Sequence, residues 1–186
     1  FTVLLMVLSF TMQAQIKTPK PSPLGKVSQV FGLNEVIIEY SRPGVKGRKI
    51  FGELVPYGEL WRTGANAATK VTFEDDVKIK GIEVDGGEYS LFTIPGKDKW
   101  TVILNTDPYA STSEYNPEFN EAKFEVEVQK TSEMVERFTI TFNNVTDNRL
   151  DVRLAWDRTM IEFEVETDVD EIVMAEIDKA MAGINE

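Results

Sequence analysis

One segment of the sequence, YGELWRTGANAATK at positions 57–70, brings aromatic, cationic and amide side chains together without a regular period. Aromatic faces combined with Arg and Asn donors hold sugars, carboxylates or peptide backbones in shallow clefts. We therefore predict a ligand-binding site that includes Tyr40, Tyr57, Trp61, Arg62 and Asn66. The alternative is a structural corner, with Trp61 in the core and Arg62 bonding backbone carbonyls.

A basic loop precedes this segment. The stretch SRPGVKGRKIFG at positions 41–52 holds four basic residues between Arg42 and Lys49, and its glycines let backbone N–H groups approach a ligand. The glycine spacing matches neither a phosphate-binding loop nor a dinucleotide fingerprint, so we predict no nucleotide cofactor. Arg42 and Arg48 join the candidate binding residues, and a solvated basic loop is the alternative.

The absence of His and Cys limits the possible chemistry. It excludes Ser-His-Asp and Cys-His nucleophilic sites and a His-ligated zinc site. Glu53 and Glu59 could serve as the carboxylate pair of a glycoside hydrolase, with surface or capping roles as the alternative. Asp75-Asp76 and Asp168-Val169-Asp170 lack the spacing of a calcium loop, so we predict neither a metal site nor a cofactor.

The segment 107–119, DPYASTSEYNPEF, is a long polar loop with three aromatic residues. Loops of this length are more often functional than purely connective. We expect it to cover or rim a site.

Alternation of apolar and polar residues dominates the chain, for example at Phe138, Ile140 and Phe142 and again from Leu150 to Trp156. Turn residues separate these runs, and they include Asp85-Gly86 as a hairpin and Asp157-Arg158 as a turn. The pattern predicts an all-β fold, either an antiparallel β-sandwich or a jelly-roll-like barrel of about nine or ten strands.

The period changes only near the C-terminus. Apolar residues between Ile172 and Met181, with Asp170 and Glu171 before them and Gly183 after them, predict a short amphipathic helix that must pack on something. We therefore divide the chain into an extended Pro-rich leader at 15–25, a β-sandwich domain at 26–168 and a helix at 169–184.

The first twelve residues, FTVLLMVLSFTM, carry no charge and are too few to span a bilayer. They are typical of a secretory signal peptide at 1–14 that ends at Ala14, and the sequence is expected to begin inside it. The mature protein would then start near Gln15 and be secreted, and a cysteine-free exported chain suits a bacterial periplasm.

Charge is distributed unevenly. Residues 1–113 carry 13 basic and 12 acidic side chains, whereas residues 114–186 carry 7 and 19. Nucleic acids and anionic membranes require a basic footprint, so neither is expected as a partner of the acidic half.

Four blocks, SRPGVKGRKIFG, LVPYGELWRTGAN, YSLFTIPG and LAWDRT, give the sequence a family resemblance. From about Thr18 to about Ala182 it resembles a secreted bacterial family known as domain of unknown function 2911. The resemblance implies export in Gram-negative bacteria, an all-β domain and a helical segment that continues beyond the C-terminal helix. It supplies no established activity, so no catalytic residue follows from it.

Three hypotheses follow. The first is a non-catalytic binding module for a glycan, cell-wall fragment or peptide carboxylate, held by Arg42, Arg48, Trp61, Arg62 and Asn66. The second is a carboxylate-dependent hydrolase that uses Glu53 or Glu59. The third is a docking scaffold, in which the acidic half or the C-terminal helix binds another protein.

Overall fold

The computed structural model describes residues 18–182. The expected signal peptide at 1–14, the first residues of the leader and the last two residues of the expected helix lie outside the described residues. Within residues 18–182 the strands are β1 (Leu24–Phe31), β2 (Asn34–Ser41), β3 (Thr69–Phe73), β4 (Val77–Ile79), β5 (Ile82–Val84), β6 (Gly87–Ile94), β7 (Lys99–Asn105), β8 (Asn120–Glu127), β9 (Gln129–Asn143) and β10 (Arg149–Glu166). A short 3₁₀ helix at Pro117–Phe119 and one α-helix, α1 (Val169–Ala182), complete the structure.

These strands form two antiparallel sheets. The large sheet has the order β1-β2-β3-β6-β7-β8, and the small sheet has the order β5-β4-β10-β9. The sheets pack on each other without closing into a barrel, so the fold is the predicted all-β sandwich. β1 begins at Leu24, and residues 24 and 25 therefore already belong to the large sheet.

The core lies between the sheets, and the period-two pattern fixes which residues enter it. Leu150, Val152, Leu154 and Trp156 of β10 are each no more than 2% exposed, which confirms the predicted alternation. The inward residues of the large sheet include Val36, Ile38 and Tyr40 of β2, which are also buried. Burial of each large apolar side chain stabilises the fold by about 1.5–3 kcal/mol.

The predicted hairpin at Asp85-Gly86 is wrong. β5 and β6 belong to different sheets, so this dipeptide joins the two layers. Gly86 is required for space, because an added Cβ would lie 3.0 Å from the carbonyl oxygen of Glu74 and from the Cα of Asp75. The actual hairpin in this region joins β4 to β5 through Lys80-Gly81, both with positive φ, 50° and 80°.

The predicted turn at Asp157-Arg158 is also wrong, because β10 continues through it. Asp157 has a φ of 55° and lies between two shifts in the register of β10 with β9. Aspartate tolerates this left-handed conformation, and the strand accommodates it as a bulge rather than reversing.

The C-terminal helix α1 begins after Asp168, whose Oδ1 accepts a hydrogen bond from the Glu171 N–H at 3.0 Å. Asp170 and Glu171 lie in its first turn, where carboxylates interact favourably with the helix dipole. Only Val169 and Ile172 are half-buried, and the other helix residues whose side chains are described are exposed. No helix within residues 18–182 is long and apolar enough to cross a membrane.

Candidate functional site

The segment that begins at Trp61 forms a short bridge to β6 before the chain enters β3. The Trp61 N–H donates to the Thr93 carbonyl at 2.7 Å, and the Thr93 N–H donates to the Trp61 carbonyl at 2.9 Å. The Thr69 N–H then donates to the Arg62 carbonyl at 3.1 Å, which closes residues 62–69 into a tight loop. Arg62 and Asn66 are therefore presented by a loop that is fixed at both ends.

The backbone of this loop is strained. Thr63 has a φ of 52° although it is β-branched and fully buried, a rare combination. Its hydroxyl bonds the Thr93 hydroxyl at 3.1 Å, and its carbonyl accepts from the Thr69 hydroxyl at 2.6 Å. Such strain costs about 1–3 kcal/mol and persists only where surrounding contacts enforce it. Core contacts therefore fix the loop conformation.

Trp61 is a core residue that anchors the loop. Its ring stacks on Trp156 at 5.9 Å between centroids with an interplanar angle of 17°, and it contacts Phe138 edge-on at 5.2 Å. The indole N–H donates to the Gly64 carbonyl at 3.0 Å, within the same loop. Trp61 is 9% exposed, so it offers little surface to a ligand.

Arg62 and Asn66 lie together at the surface. The Arg62 Nη1 donates to the Asn66 carbonyl at 2.6 Å, and this is the one hydrogen bond that the guanidinium makes to residues 18–182. The Asn66 amide donates to the Ser41 hydroxyl at 3.1 Å and to the Ser22 carbonyl at 3.3 Å. Asn66 thus holds the loop against the leader, and most of the donors of Arg62 stay available.

A cleft of about 440 Å³ opens beside these two residues on the outer face of the large sheet. We call it the Tyr109 cleft; its lining residues are Leu24, Glu39, Arg62, Asn66, Ala67, Ala68, Lys70, Pro108, Tyr109, Ala110, Ser111 and Thr112. Glu39 of β2 and Lys70 of β3 are directly paired across the sheet. The volume is in the range of small-molecule sites, about 300–1,000 Å³.

Tyr109 forms the far wall of the cleft and is 79% exposed. The Lys70 Nζ lies 4.6 Å from the centroid of its ring and 3.1 Å from the Glu88 carboxylate. The hydrogen bond to Glu88 is the main cause of a raised pKa of Lys70, so the ammonium stays charged at neutral pH. Lys70 and Arg62 are the cations of the lining, and Glu39 is its carboxylate.

The wall that carries Tyr109 is held in place by a second apolar cluster. Ala110 is buried with Phe92 and Ile103 on the outer face of the large sheet, and Tyr115 contacts the Phe92 ring edge-on at 5.4 Å. The loop 107–119 therefore packs over β6 and β7, and its near end rims the Tyr109 cleft.

Polar contacts fix the rim itself. The Ser111 hydroxyl donates to the Glu114 carboxylate at 2.6 Å, and the Ser111 N–H donates to the same oxygen at 3.3 Å. These two hydrogen bonds, the side-chain bond foremost, lower the pKa of Glu114 below its usual value of 4.5. The Tyr109 N–H donates to the Asp107 carboxylate at 3.0 Å, so the backbone that carries the exposed ring is also held.

A smaller hollow of about 170 Å³ adjoins the cleft, and Arg62 and Thr112 line both. Glu59 lines this hollow with Leu54, Pro56 and part of Trp61. Glu53 lies outside both recesses and pairs with Lys49 at 3.0 Å. The structure therefore does not bring the two carboxylates of the hydrolase alternative into one recess.

The remaining candidates make intramolecular contacts. Tyr40 is buried at 3% exposure, and Tyr57 lies against Gly52, where an added Cβ would be 2.8 Å from its ring. Arg42 donates through Nε to the Phe138 carbonyl at 3.1 Å and through Nη2 to the Thr139 hydroxyl at 2.8 Å.

Arg48 donates to two carbonyls of its own loop, those of Val45 at 3.1 Å and Gly44 at 2.6 Å. Arg42 and Arg48 do not line the Tyr109 cleft. Of the residues predicted from sequence, the structure therefore brings Arg62 and Asn66 to the cleft, and it places Trp61 and Glu59 at the adjoining hollow.

Several lining residues were not predicted individually from the sequence. Tyr109, Ser111 and Thr112 lay in a loop that was predicted only as a whole to rim a site. Glu39 and Lys70 occupy alternating strand positions, where a charged residue is the ordinary solvent-facing choice. Within residues 18–182, no three Asp or Glu side chains are grouped closely enough to hold a metal ion.

The architecture and the cleft define a class: a two-sheet antiparallel sandwich with a fixed recess on the outer face of its large sheet. The chain belongs to the family described as "Protein of unknown function (DUF2911)", whose sequence pattern matches residues 22–165. The matched range covers both sheets except Glu166, the last residue of β10, and it contains Arg62 and the loop that carries Tyr109. Searches of curated proteins and of solved structures found no match to the chain.

Proposed function

We propose that the protein is a non-catalytic binding module that holds a carboxylate-bearing glycan, cell-wall fragment or peptide in the Tyr109 cleft. The observation that carries this proposal is the position of Arg62. Arg62 is half-buried as a residue, it lies on the wall common to two recesses, and its guanidinium makes one hydrogen bond to residues 18–182. It faces a cleft whose far wall is the exposed Tyr109 ring.

The chemistry of the lining supports an anionic ligand. Arg62 can bind a carboxylate through two parallel hydrogen bonds, and a guanidinium is better suited to this geometry than an ammonium. Lys70 is paired with Glu88 at 3.1 Å and Glu39 with Lys26 at 3.4 Å, so Arg62 is the charged residue of the lining that has no ion-pair partner within residues 18–182. The cleft is therefore locally cationic in a chain whose net charge is −11.

The apolar part of the lining supports a ligand with a ring or a methyl-bearing chain. The Tyr109 ring can stack on the apolar face of a pyranose, and Leu24, Ala67 and Ala68 provide further apolar surface. A ligand that carries both a ring and a carboxylate matches both features. N-acetylmuramic acid has this combination, and N-acetylglucosamine is the same sugar without the lactyl carboxylate.

Calorimetric titration with these two sugars tests the proposal. We expect N-acetylmuramic acid to bind and N-acetylglucosamine to bind at least about tenfold more weakly, because the charge-assisted hydrogen bonds are lost. Arg62→Ala should lower the affinity for N-acetylmuramic acid by about tenfold or more, and Arg62→Lys should have an intermediate affinity. Tyr109→Ala should lower the affinity for both sugars by about fivefold.

Matched controls separate the cleft from general surface effects. Arg158→Ala removes an exposed guanidinium that bonds Ser132, and Phe119→Ala removes an exposed ring from the same loop as Tyr109. Both variants should bind like the wild type. Equal affinity for the two sugars, or an Arg62→Ala variant that binds as tightly as the wild type, would contradict the proposal.

We also propose that the protein is exported and acts in a bacterial periplasm. The uncharged segment FTVLLMVLSFTM followed by Ala14 supports this. N-terminal sequencing of protein recovered from a periplasmic fraction should give Gln15 as the first residue. Recovery from the cytoplasm with the apolar segment intact would contradict export.

A further inference from the structure

An apolar stripe is exposed on α1. Val173, Met174 and Ile177 are 40%, 56% and 47% exposed. Spacings of three and four residues place them on one side of the helix, which is the pattern of a face that packs against a partner. We call these three residues the α1 stripe.

An acidic cleft of about 610 Å³ lies at the base of the helix. Its lining contains seven carboxylates, Asp76, Glu83, Asp147, Glu166, Asp168, Asp170 and Glu171, and one ammonium, Lys78. Lys78 is already paired with Glu83 at 2.8 Å. Asp170 and Glu171 belong to the first turn of α1, so the acidic cleft reaches the start of the helix, and the α1 stripe begins at Val173 in the next turn.

We propose that the acidic cleft and the α1 stripe together form a surface that docks a cationic amphipathic segment of another protein. That segment would carry Lys or Arg along one side and apolar side chains along the other. The apolar side would cover the α1 stripe, and the basic side would lie toward the acidic cleft. Helix-in-groove partners use this division, in which apolar anchors provide affinity and charges provide steering and specificity.

The charge of the surface selects this occupant over two others. A second copy of the chain would bring two acidic surfaces together, and like charges in contact oppose association. An anionic lipid surface would be repelled for the same reason. A basic segment is attracted, and it also gains the burial of the apolar stripe.

The test uses the full chain and three synthetic peptides, with binding followed by fluorescence anisotropy. The first peptide is a Leu/Lys amphipathic helix, the second has Glu in place of every Lys, and the third is oligolysine of equal charge. We expect the Leu/Lys peptide to bind, and oligolysine to bind at least about tenfold more weakly because it buries no apolar surface. The Leu/Glu peptide should not bind, and added salt should weaken the Leu/Lys complex.

Paired variants locate the interaction. Ile177→Ser removes a residue of the α1 stripe, and Val30→Ser is its control on β1, where Val30 is 59% exposed. Glu171→Gln removes a charge from the acidic cleft, and Glu133→Gln is its control on the exposed part of β9. Ile177→Ser and Glu171→Gln should each lower the affinity for the Leu/Lys peptide by about fivefold or more, and the two control variants should not. Circular dichroism should show the same helix content in all of these variants.

Four results would overturn the proposal. The first is that the Leu/Lys peptide does not bind, and the second is that the Leu/Glu peptide binds equally well. The third is that Ile177→Ser and Glu171→Gln both leave the affinity unchanged. The fourth is that sedimentation velocity shows a dimer which Ile177→Ser dissociates. The last result would assign the α1 stripe to a second copy of the chain. Sugar binding in the Tyr109 cleft is independent of all four.

Discussion

The hydroxyl of Tyr40 bonds both backbone groups of Ile140, accepting from its N–H at 3.0 Å and donating to its carbonyl at 3.3 Å. Tyr40 lies on β2 of the large sheet and Ile140 on β9 of the small sheet, so one phenol connects the two layers of the sandwich. Its ring also packs edge-on against Phe138 at 5.7 Å. An aromatic residue that the sequence suggested for ligand binding therefore joins the sheets.

Tyr40→Phe should destabilise the fold by about 1–3 kcal/mol, because it leaves the buried N–H and carbonyl of Ile140 without their side-chain partner. The ring packing is retained, so the decrease in unfolding free energy measures the contribution of the hydroxyl alone. Urea denaturation measures the free energy of unfolding. A variant as stable as the wild type would contradict this, because it would show that water or a backbone shift provides hydrogen bonds to the N–H and carbonyl of Ile140.

Trp61→Ala and Arg62→Ala should separate stability from binding. The Trp61 variant should lose about 3–5 kcal/mol of unfolding free energy, as expected for a buried aromatic residue. The Arg62 variant should lose no more than about 1 kcal/mol, since it gives up one exposed hydrogen bond. Thermal unfolding of the two proteins distinguishes them, and an Arg62 variant that melts as early as the Trp61 variant would make Arg62 a structural residue.

Gly86→Ala should destabilise the protein by about 1–3 kcal/mol, because the new methyl group meets backbone atoms that cannot rotate away. Gly87→Ala is the matched control, since an added Cβ there lies 3.8 Å from the nearest atom, in the Tyr89 ring. Chemical denaturation of both variants tests the crossover between the sheets. Equal stabilities would mean that the chain near Asp75 is less tightly packed than the structure has it.

Tyr89 should give the protein a stability change at high pH. Burial raises its pKa from 10.0 to about 12, and its hydroxyl donates to the Asp85 carbonyl at 2.6 Å. A raised pKa favours the neutral form in the folded state. The contribution of Tyr89 to the stability of the fold is therefore present below pH 10, the pKa of the unfolded state, and it is lost as the pH rises from about 10 to about 12.

Ultraviolet titration of the wild type and Tyr89→Phe measures this ionisation directly. The difference between the two curves should show one tyrosine titrating near 12. Between pH 10 and 12 the stability of the wild type should fall more steeply than that of the variant. A difference curve centred at 10 would contradict the burial of the hydroxyl.

The fold was predictable from sequence where periodicity carried the information. The apolar face of β10 follows period two from Leu150 to Trp156, and the strand buries those residues. Local turn residues were less reliable, because Gly86 serves close packing and Asp157 serves a bulge. Whether a positive φ reverses the chain depends on the strand pairing around it, and that pairing is not encoded within four residues.

The candidate site was predictable only in part. Trp61 and Arg62 are adjacent in sequence, yet the bridge to Thr93 directs the Trp ring into the core and leaves the Arg at the surface. Tyr109 reaches the cleft because Phe92 and Ile103 hold its loop over the outer face of the sheet. Such contacts join residues far apart in the chain, so no local pattern indicates them.

The central claim is that the Arg62 guanidinium binds the carboxylate of a ligand in the Tyr109 cleft. The most direct measurement is a nitrogen–proton correlation spectrum of the arginine Nε–H groups during titration with N-acetylmuramic acid, with Arg62 assigned through its Lys variant. We predict that the Arg62 signal shifts with the binding curve and that N-acetylglucosamine leaves it in place. An Arg62 signal that does not move at saturation would contradict the assignment of this cleft as the binding site.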